Sequence, residues 1–574
     1  MGAANNPKRE RQIEEAQNVA KSLDGNVLSP DILFGRASQD DLAAYTPEML
    51  ALSARHAQHE IDNRLKDKPR VTIATVEGVS PGETPVSILS VTDRNMPFLY
   101  DSVMGEVTST HRDIHMAVHP ILVIENGAPA KLFDPEEPSD PSLRVSHIQI
   151  HLSALSEREA ESLRARLEEV LSQVHQAVGD WQAMKKLLDE VVQELQGQNA
   201  SRRKRDRDEA LAFLHWLRAN NFTFLGMREY SYAGEGETAT VERGSGHGLG
   251  ILSNPDVRVL RQGHDAVVTT PEILAFLQGP DYLIVTKANV KSVIHRRAYM
   301  DYVGVKRFDA EGKVVGELRI VGLFTSTAYT RQAADIPLLR FKVEKIVDQF
   351  GYDPQSHSGK MLMNTLESYP RDDLFQIDVS LLAAFCEQIN ELGDRPRVRV
   401  LPRIDHFDRF VSVIVYVPRE QYDSDVREKI GTYLKTVYDG RVSAYYPAFP
   451  EGGLARVHFI IGRSAGKTPR VPQAKLEAAV RDIVTRWIDR FNLLAREEGV
   501  TIETGQAYQE AFTPSEAYAD LADISACRKD DPIRIAFYQK PGNGAQSLEL
   551  KIFHAAEPVS LSQRVPLLEN LGFR

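Results

Sequence analysis

The chain has 574 residues, of which 42% are hydrophobic and 26% charged, as is usual for globular proteins with several domains. Its net charge of -11 gives no basic excess for nucleic-acid binding, and no apolar run approaches the ~18 residues of a membrane span. Cys386 and Cys527 are too few for a disulfide framework and indicate a reducing compartment. We therefore expect a soluble cytoplasmic protein with neither nucleic-acid nor membrane partners.

Residues 1–70 are predicted to be a helical extension at the amino terminus. Thr46 suits the capping position of a helix and Pro47 suits its first turn. The helix should run to about Leu65, before Lys68-Pro69.

Residues 71–180 are predicted to form an α+β unit. Its strands are expected at 86–91, 114–124 and 145–152, with helices starting near Leu99 and Ser156. The order β-α-β-β-α is typical of a ferredoxin-like sheet with helices on one face. In the third strand His147, Gln149 and His151 alternate with apolar residues, so one face should be buried and the other polar.

The middle of the chain has a different pattern. Residues 181–220 and 336–370 are predicted to be helical connectors. Between them, residues 221–335 are rich in predicted strands, at 222–232, 282–287, 293–305 and 314–329. We interpret this part as a separate antiparallel β-rich domain.

Residues 371–500 are predicted to repeat the order of the first unit. A strand at 374–379 and a helix at 381–392 are followed by a hairpin at 395–419, in which Arg397 and Arg399 alternate with valines. A helix at 425–438, strands at 442–447 and 454–461 and a helix from Lys475 complete the repeat.

Residues 501–530 are predicted to be a linker, and residues 531–574 begin a third unit. That unit needs another strand after Gly572, so we expect the chain to be a fragment of a longer protein. The predicted fold class is α+β multidomain, with repeated ferredoxin-like units, a central antiparallel β-rich domain and helical connectors.

Two glycine-rich segments suggest nucleotide binding, but neither matches a complete motif. Gly462–Thr468 is one residue shorter than a phosphate-binding P-loop, and Pro469 lacks the N–H that a phosphate-facing helix would offer, so a solvated loop is favoured. Gly244–Gly250 contains no G-x-G-x-x-G arrangement, so a flexible hairpin tip is favoured over a dinucleotide site.

Other reactive side chains also have simpler interpretations. Cys386 lies in an apolar helix, which favours a core position over a nucleophile. His147 and His151 could ligate a metal, but a polar sheet face is favoured. Asp405, His406 and Asp408 could be an acid/base cluster, although these residues are also typical of a turn.

The arginines of residues 395–419 have two interpretations. They could bind a carboxylate or a phosphate, because a guanidinium pairs with either group in bidentate fashion. Ion pairs to acidic residues of the same chain are favoured, since the chain is acidic.

The segment Asp93–Pro97 joins the first predicted strand to the first helix of its unit. Backbone N–H groups at a helix start point toward such a loop and can hold an anion or a carboxylate. A turn with a helix cap is the alternative.

Six segments are distinctive in combination: TDRNMPFLYDSV at 92–103, GLGIL at 248–252, PRDDLFQ at 370–376, RFVS at 409–412, VYVPR at 415–419 and LARVHF at 454–459. Together they span nearly the whole chain. The chain resembles the N-terminal part of the large NAD-specific glutamate dehydrogenases of bacteria. The resemblance implies that the ferredoxin-like units are ACT-like regulatory domains and that the β-rich middle is a sensory-type module.

The resemblance also bears on the sites. In that family the glutamate and NAD sites lie downstream of this region, so it implies no catalytic, cofactor-binding or metal-ligating residue here, with NAD bound outside this chain. ACT domains often bind amino acids near the first strand–helix loop, which makes Asp93, Arg94 and Asn95 candidate effector-binding residues. This loop has Asn-Met-Pro where ligand-binding ACT loops usually have Pro-Gly, so subunit packing is the alternative role.

We therefore predict that the chain is the N-terminal regulatory and oligomerisation portion of an NAD-dependent glutamate dehydrogenase. Its catalytic domain would lie downstream, and the protein would be a homo-oligomer with a possible amino-acid effector. The reaction would convert L-glutamate, NAD and water to 2-oxoglutarate, ammonia and NADH. The alternatives are a free-standing ACT-type amino-acid sensor and, from Gly462–Thr468, a nucleotide hydrolase.

Overall fold

The computed structural model describes residues 7–125, 129–137, 139–198, 204–234, 239–244, 246–257, 259–262, 265–450, 452–463, 466–496, 503–528, 530–538, 549–555 and 560–572. Helices and several antiparallel sheets make up this part of the chain. The chain divides into two compact bodies. The first comprises residues 1–390, 405–409 and 464–467, and the second comprises 391–404, 410–463 and 468–574.

Four helices precede the first sheet: α1 Pro7–Ala20, α2 Pro30–Phe34, α3 Gln39–Leu42 and α4 Pro47–Asp62. The predicted start of α4 is confirmed, because the Thr46 hydroxyl accepts a hydrogen bond from the Met49 N–H at 3.3 Å. The helix ends at Asp62, slightly before the predicted end near Leu65.

The first sheet consists of β1 Arg70–Ala74, β2 Val86–Arg94, β3 Ile114–Val118, β4 Ile121–Val123, β5 Lys131–Leu132 and β6 Arg144–Ser153. Its order is β1-β2-β6-β4-β5, and β3 also pairs with β6. The segment 114–124, predicted to be one strand, is divided between β3 and β4 around Pro120, which has no N–H to donate to a ladder.

Both faces of the first sheet are covered. Helices α5 Leu99–Thr108 and α6 Glu157–Gly179 pack on one face, where Val103 and Leu167 share a core with Ile148. The helices of the amino-terminal extension cover the other face, where Leu50 and Ile88 are buried together. The polar face of β6 is thus enclosed, and this second helical layer was not predicted.

Two helices, α7 Trp181–Gly197 and α8 Lys204–Trp216, lead to the β-rich domain. Its elements are β7 Phe222–Ala233, β8 Thr240–Arg243, β9 Leu249–Gly250, β10 Leu260–Gln262, β11 Asp265–Val267, α9 Pro271–Gln278, β12 Leu283–Lys291, β13 Tyr299–Phe308 and β14 Val314–Phe324. The main sheet has the order β12-β13-β14-β7-β8, with β9 beside β7, and every one of these pairs is antiparallel. The predicted antiparallel character of this segment is confirmed.

The following segment is helical, with α10 Ser326–Thr330, α11 Leu339–Phe350, α12 His357–Ser368, α13 Arg371–Gln376 and α14 Val379–Asp394. The predicted strand at 374–379 is wrong. Asp372 and Asp373 lie in the first turn of α13, where carboxylates favour a helix. The Lys342 ammonium then donates to the carbonyls of Leu374, Phe375 and Ile377 at 2.7–2.9 Å, which satisfies the end of that helix.

The second body contains a four-stranded sheet of β15 Arg399–Ile404, β16 Phe410–Pro418, β17 Gly440–Ala448 and β18 Leu454–Arg463, with α15 Ser424–Val437 and α16 Gln473–Val484 in its core. The order is β15-β16-β18-β17, so its strands follow the order first, second, fourth, third, as β1, β2, β6 and β4 do in the first sheet. The remaining elements are α17 Trp487–Leu494, α18 Gln506–Ala511, α19 Pro514–Ala526, β19 Ile533–Tyr538, β20 Glu549–His554 and α20 Leu561–Asn570. Among the described residues, no helix has the length and apolar character needed to cross a membrane.

Candidate functional site

The loop that holds the predicted effector residues lies between β2 and α5. Asp93 is buried, and its carboxylate accepts hydrogen bonds from the Arg94 N–H at 2.8 Å and from His175 Nε2 of α6 at 2.6 Å. The Asn95 N–H donates to the Arg144 carbonyl at 2.8 Å, while the Arg94 side chain is exposed. The structure brings the three residues together, but only Arg94 presents a charge to solvent.

The start of α5 is covered by a segment distant in sequence. Phe98 has a φ of 71°, and its ring contacts the ring of His295 at 5.3 Å between centroids. The His295 N–H donates to the Ser102 hydroxyl at 3.0 Å, and its Nδ1 lies 2.9 Å from Asp101 Oδ2. The segment after β12 thus partly covers the helix start next to the candidate effector loop, an arrangement that sequence reasoning missed.

The polar residues of β6 form a buried hydrogen-bond network with α4 and with Tyr45, which precedes that helix in the sequence. Tyr45 OH lies 2.9 Å from His151 Nδ1, and the Ser53 hydroxyl lies 3.1 Å from His151 Nε2. Gln149 Nε2 donates to the Ser53 hydroxyl at 2.6 Å. Burial lowers the pKa of His151 to about 3, so this imidazole is neutral at pH 7.

His147 is buried in the same network, with its Nδ1 2.8 Å from the Thr92 hydroxyl. Burial lowers its pKa to about 4. Among the described residues, no group of three or more His, Cys, Asp or Glu side chains could hold a metal ion. The two histidines therefore belong to the packing between α4 and the sheet.

A second charged group, which the sequence analysis did not single out, lies in the first body and is here called the Lys287 cluster: Lys287, Asp301, Tyr329 and Asp372. Lys287 Nζ lies 2.6 Å from Asp301 Oδ1 and 3.1 Å from Asp372 Oδ2. Tyr329 OH donates to Asp372 Oδ1 at 2.8 Å, and the Phe324 N–H donates to Asp301 Oδ2 at 3.0 Å.

Burial and charge act against each other within the Lys287 cluster. Burial raises the pKa of Asp301 to about 6, although Lys287 opposes the shift. Burial alone would lower the pKa of Lys287, but attraction to Asp301 and Asp372 outweighs it and raises that pKa. The lysine therefore remains protonated, and the cluster is an ion pair rather than a nucleophile or a general base.

Cys386 and the turn at Asp405 have structural roles. Burial raises the pKa of the Cys386 thiol to about 12, which suits a core position. Asp405 accepts hydrogen bonds from the N–H groups of Phe407 and Arg409 and from Arg409 Nε at 2.7 Å, while His406 is exposed. Asp405 thus holds the turn, and the three polar residues do not form an acid/base site.

Two arginines near the start of β15 pair with acidic side chains of the second body. Arg397 Nη2 lies 2.6 Å from Glu391 Oε2, and Arg399 Nη1 lies 3.0 Å from Glu477 Oε1. For these two arginines, the ion-pair interpretation is confirmed.

Comparison with known proteins gives matches to glutamate dehydrogenases. Models of glutamate dehydrogenase domains match four segments: the ACT1 domain at residues 31–167, helical motif 1 at 336–395, the ACT2 domain at 399–488 and the ACT3 domain at 532–574. The chain is 30% identical over 583 residues to the NAD-specific glutamate dehydrogenase of Pseudomonas aeruginosa and 29% identical over 568 residues to that of Halomonas elongata. These alignments cover 98% and 95% of this chain.

The chain is thus similar over nearly its whole length to NAD-specific glutamate dehydrogenases, and several of its segments match glutamate dehydrogenase domain models. It is also 25% identical over 464 residues, 76% of its length, to the NAD-specific glutamate dehydrogenase of Mycobacterium tuberculosis. The chain spans 36%, 35% and 27% of the length of the Pseudomonas, Halomonas and Mycobacterium relatives, respectively.

The comparisons correct one prediction. We predicted that the chain is only the N-terminal regulatory and oligomerisation portion of the enzyme, or else a free-standing sensor. Glutamate dehydrogenase models instead match segments from residue 31 to residue 574, and relatives named as the enzyme match 95% and 98% of the chain. The description as a regulatory portion is therefore withdrawn, and with it the statement that the catalytic domain lies outside this chain.

The matched relatives are named NAD-specific, so the fit of the glycine-rich segments of this chain to NAD is relevant. Leu249-Gly250 is a short strand paired antiparallel with β7, and Ser245 lies outside the described residues. No helix begins directly after Gly466 and Lys467, since α16 starts at Gln473; residues 464 and 465 are also not described. Neither segment fits the strand–turn–helix that cradles a dinucleotide pyrophosphate.

Proposed function

We propose that this protein catalyses the NAD-dependent oxidative deamination of L-glutamate to 2-oxoglutarate and ammonia, with formation of NADH. The proposal is carried by the match of nearly the whole chain to relatives named NAD-specific glutamate dehydrogenase. This proposal rests on the matches to these relatives and assigns no residue of the chain to the hydride transfer.

The direct test is a kinetic assay of the complete protein as its gene encodes it. NADH formation should require L-glutamate, and NADP should not replace NAD. D-Glutamate serves as a matched control, because it has the same charge and composition. A folded, complete protein that forms no NADH from L-glutamate would contradict the proposal.

We propose further that both main α+β sheets are ACT-like units. The shared strand order supports this, since β1, β2, β6, β4 and β15, β16, β18, β17 are arranged alike. The matches to the ACT1 and ACT2 domain models fall on the same two segments.

The loop between β2 and α5 is proposed to bind an amino-acid effector through Asp93, Arg94 and Asn95. The exposed guanidinium of Arg94 could pair with the effector's carboxylate. Because Asp93 already pairs with His175, an effector ammonium would have to share that carboxylate. A thermal shift caused by one amino acid and lost in Arg94→Gln would support this site; a shift that Arg94→Gln retains would exclude it.

The protein is also proposed to be a cytoplasmic homo-oligomer. Free cysteines at Cys386 and Cys527 suit a reducing compartment. Light scattering coupled to size-exclusion chromatography would measure the oligomeric state, and a monomeric mass across the working concentration range would contradict the proposal.

A further inference from the structure

Two buried arginines lie side by side on one face of the β-rich sheet. Arg228 of β7 and Arg319 of β14 are register partners, and their exposed fractions are 5% and 1%. Residues directly opposite in an antiparallel pair point to the same face, and like charges in such positions repel each other. Two buried cations at directly opposite backbone positions therefore need compensating negative charge.

Only two of the three guanidinium nitrogens of Arg319 donate a hydrogen bond within the described residues. Nε donates to Glu317 Oε2 at 2.9 Å, and Nη1 donates to the Val268 carbonyl at 2.6 Å. The guanidinium stacks over the Tyr230 ring at 3.8 Å, which fixes its plane. Nη2 is buried, and among the described residues nothing accepts a hydrogen bond from it.

Arg228 shows the same deficit. Its Nη2 donates to the Leu252 carbonyl, whereas its Nη1 is buried and has no acceptor in the described part of the chain. Buried N–H groups are nearly always hydrogen-bonded, so two orphan donors on neighbouring arginines are unusual.

The charge on this face is also unbalanced. Glu317 is buried and already accepts hydrogen bonds from Tyr302 and Arg319. Within the described residues, Glu317 pairs with Arg319, and no salt bridge joins a carboxylate to Arg228. An unpaired charge in the interior is destabilising, so its retention suggests a ligand.

A glycine segment closes over Arg228. Strand β9 pairs with β7 through Met227 and Leu249, which holds the segment 248–252 against the arginine. A Cβ atom at Gly248 would overlap the Leu252 carbonyl oxygen and would lie 2.6 Å from Arg228 Nε, so this close approach requires a glycine. The segment thereby places the Leu252 carbonyl against one Nη of Arg228 and leaves the other without a partner.

We propose that Arg228 and Arg319 form a binding site for a small carboxylate anion inside the β-rich domain. Each arginine offers one free Nη group, and two donors match the two oxygens of one carboxylate. A phosphate would require more donors and would bring a larger charge than the single unpaired guanidinium can neutralise. The site is separate from the proposed effector loop and does not depend on the proposed dehydrogenase activity.

The test is a thermal-unfolding series of the complete protein at constant ionic strength, with acetate, succinate, phosphate or chloride as the added anion. The variants are Arg228→Gln and Arg319→Gln. Arg307→Gln is the matched control, because Arg307 belongs to the same sheet but its guanidinium is paired with Glu194 and Glu229. Isothermal titration with the most stabilising carboxylate would give the number of sites.

Acetate or succinate should raise the unfolding temperature of the wild type and of Arg307→Gln by several degrees, and should have no such effect on Arg228→Gln. Without a carboxylate, Arg228→Gln should unfold at or above the wild-type temperature, because it removes an unpaired buried charge. If Arg319→Gln does not fold, the proposal is tested by the effect of carboxylates on the unfolding temperature of Arg228→Gln alone.

The proposal would be overturned by the absence of a carboxylate effect on the wild type, by an equal effect of chloride, or by an effect that persists in Arg228→Gln. The last result would place carboxylate binding elsewhere, for example at the effector loop. A preference for phosphate would likewise overturn the carboxylate assignment.

Discussion

Lys287 and Asp301 are register partners on β12 and β13, and their charged groups meet at 2.6 Å inside the first body. Asp372, in the first turn of α13, lies 3.1 Å from the same ammonium. The ion pair thus joins two strands of the β-rich sheet to the helix that carries the distinctive PRDDLFQ segment. The two carboxylates differ in exposure, so substituting each of them in turn should change the free energy of unfolding by different amounts.

Asp301→Asn should lower the free energy of unfolding by about 3 kcal/mol, since it leaves a buried ammonium with one partner. Asp372→Asn should cost less, because the Asp372 side chain is 33% exposed and that of Asp301 only 2%. Urea unfolding of both variants measures the difference. An equal or larger loss for Asp372→Asn would contradict this ranking.

The buried histidines of β6 make stability depend on pH. Below the usual histidine pKa of about 6.5 the unfolded chain binds protons that folded His147 and His151, with pKa values of about 4 and about 3, do not. Stability should therefore fall as the pH decreases from about 6.5 toward 4, on the order of 3 kcal/mol for each histidine. Urea unfolding at pH 7 and at pH 5 should show the first part of this loss, about 2 kcal/mol for each histidine.

The variant His147→Gln tests the assignment, since it removes one of the two depressed pKa values. Its stability should depend less on pH than that of the wild type. His406→Gln is the control, because His406 is exposed and lies in a turn. A wild-type stability that does not change between pH 7 and pH 5 would show that these histidines are not buried in the neutral form.

Gly250 adopts a conformation that other residues avoid. Its φ is +59°, and a Cβ there would overlap the Leu225 carbonyl oxygen. Gly250→Ala should therefore destabilise the β-rich domain by about 2 kcal/mol or more. Gly246→Ala is the control, since its nearest neighbour would be Glu229 Oε2 at 3.7 Å; equal effects of the two changes would contradict the packing described for β9.

Asp93 and Arg94 should respond differently to substitution although they are adjacent. Asp93→Asn weakens the contact with His175 and should lower stability by about 1–2 kcal/mol, because both side chains are largely buried. Arg94→Gln changes an exposed side chain and should alter stability by less than about 0.5 kcal/mol. Thermal unfolding without added ligand separates the two roles, and a large loss in Arg94→Gln would assign that arginine to structure.

Local patterns predicted β2, β6 and the two helices of the first sheet, but they missed β1 and β5 and did not predict what covers the sheet. The alternation of Ile148 and Ile150 with polar residues is a property of one strand, so β6 was found from sequence. The partner of His151 is Tyr45, 106 residues earlier, and no local pattern encodes that contact. The polar face was therefore expected to remain open, whereas α4 covers it.

Two errors about local structure have different physical causes. Leu374 and Phe375 suggested a strand by their composition, but tertiary contacts with Lys342 and the aspartates of the first turn favour a helix. The Lys287 cluster was missed because its four members come from four separate elements, β12, β13, α10 and α13. Aligning the hairpin of β12 and β13 would have placed Lys287 opposite Asp301, which is the signal that sequence reasoning could have used.

The most direct test of the central claim is the initial rate of NADH formation by the complete, purified protein with L-glutamate and NAD. We predict a rate that depends on both compounds and is absent with NADP. Circular dichroism of the same sample establishes that it is folded. No glutamate-dependent NADH formation in such a sample would contradict the assignment of this chain to an NAD-dependent glutamate dehydrogenase activity.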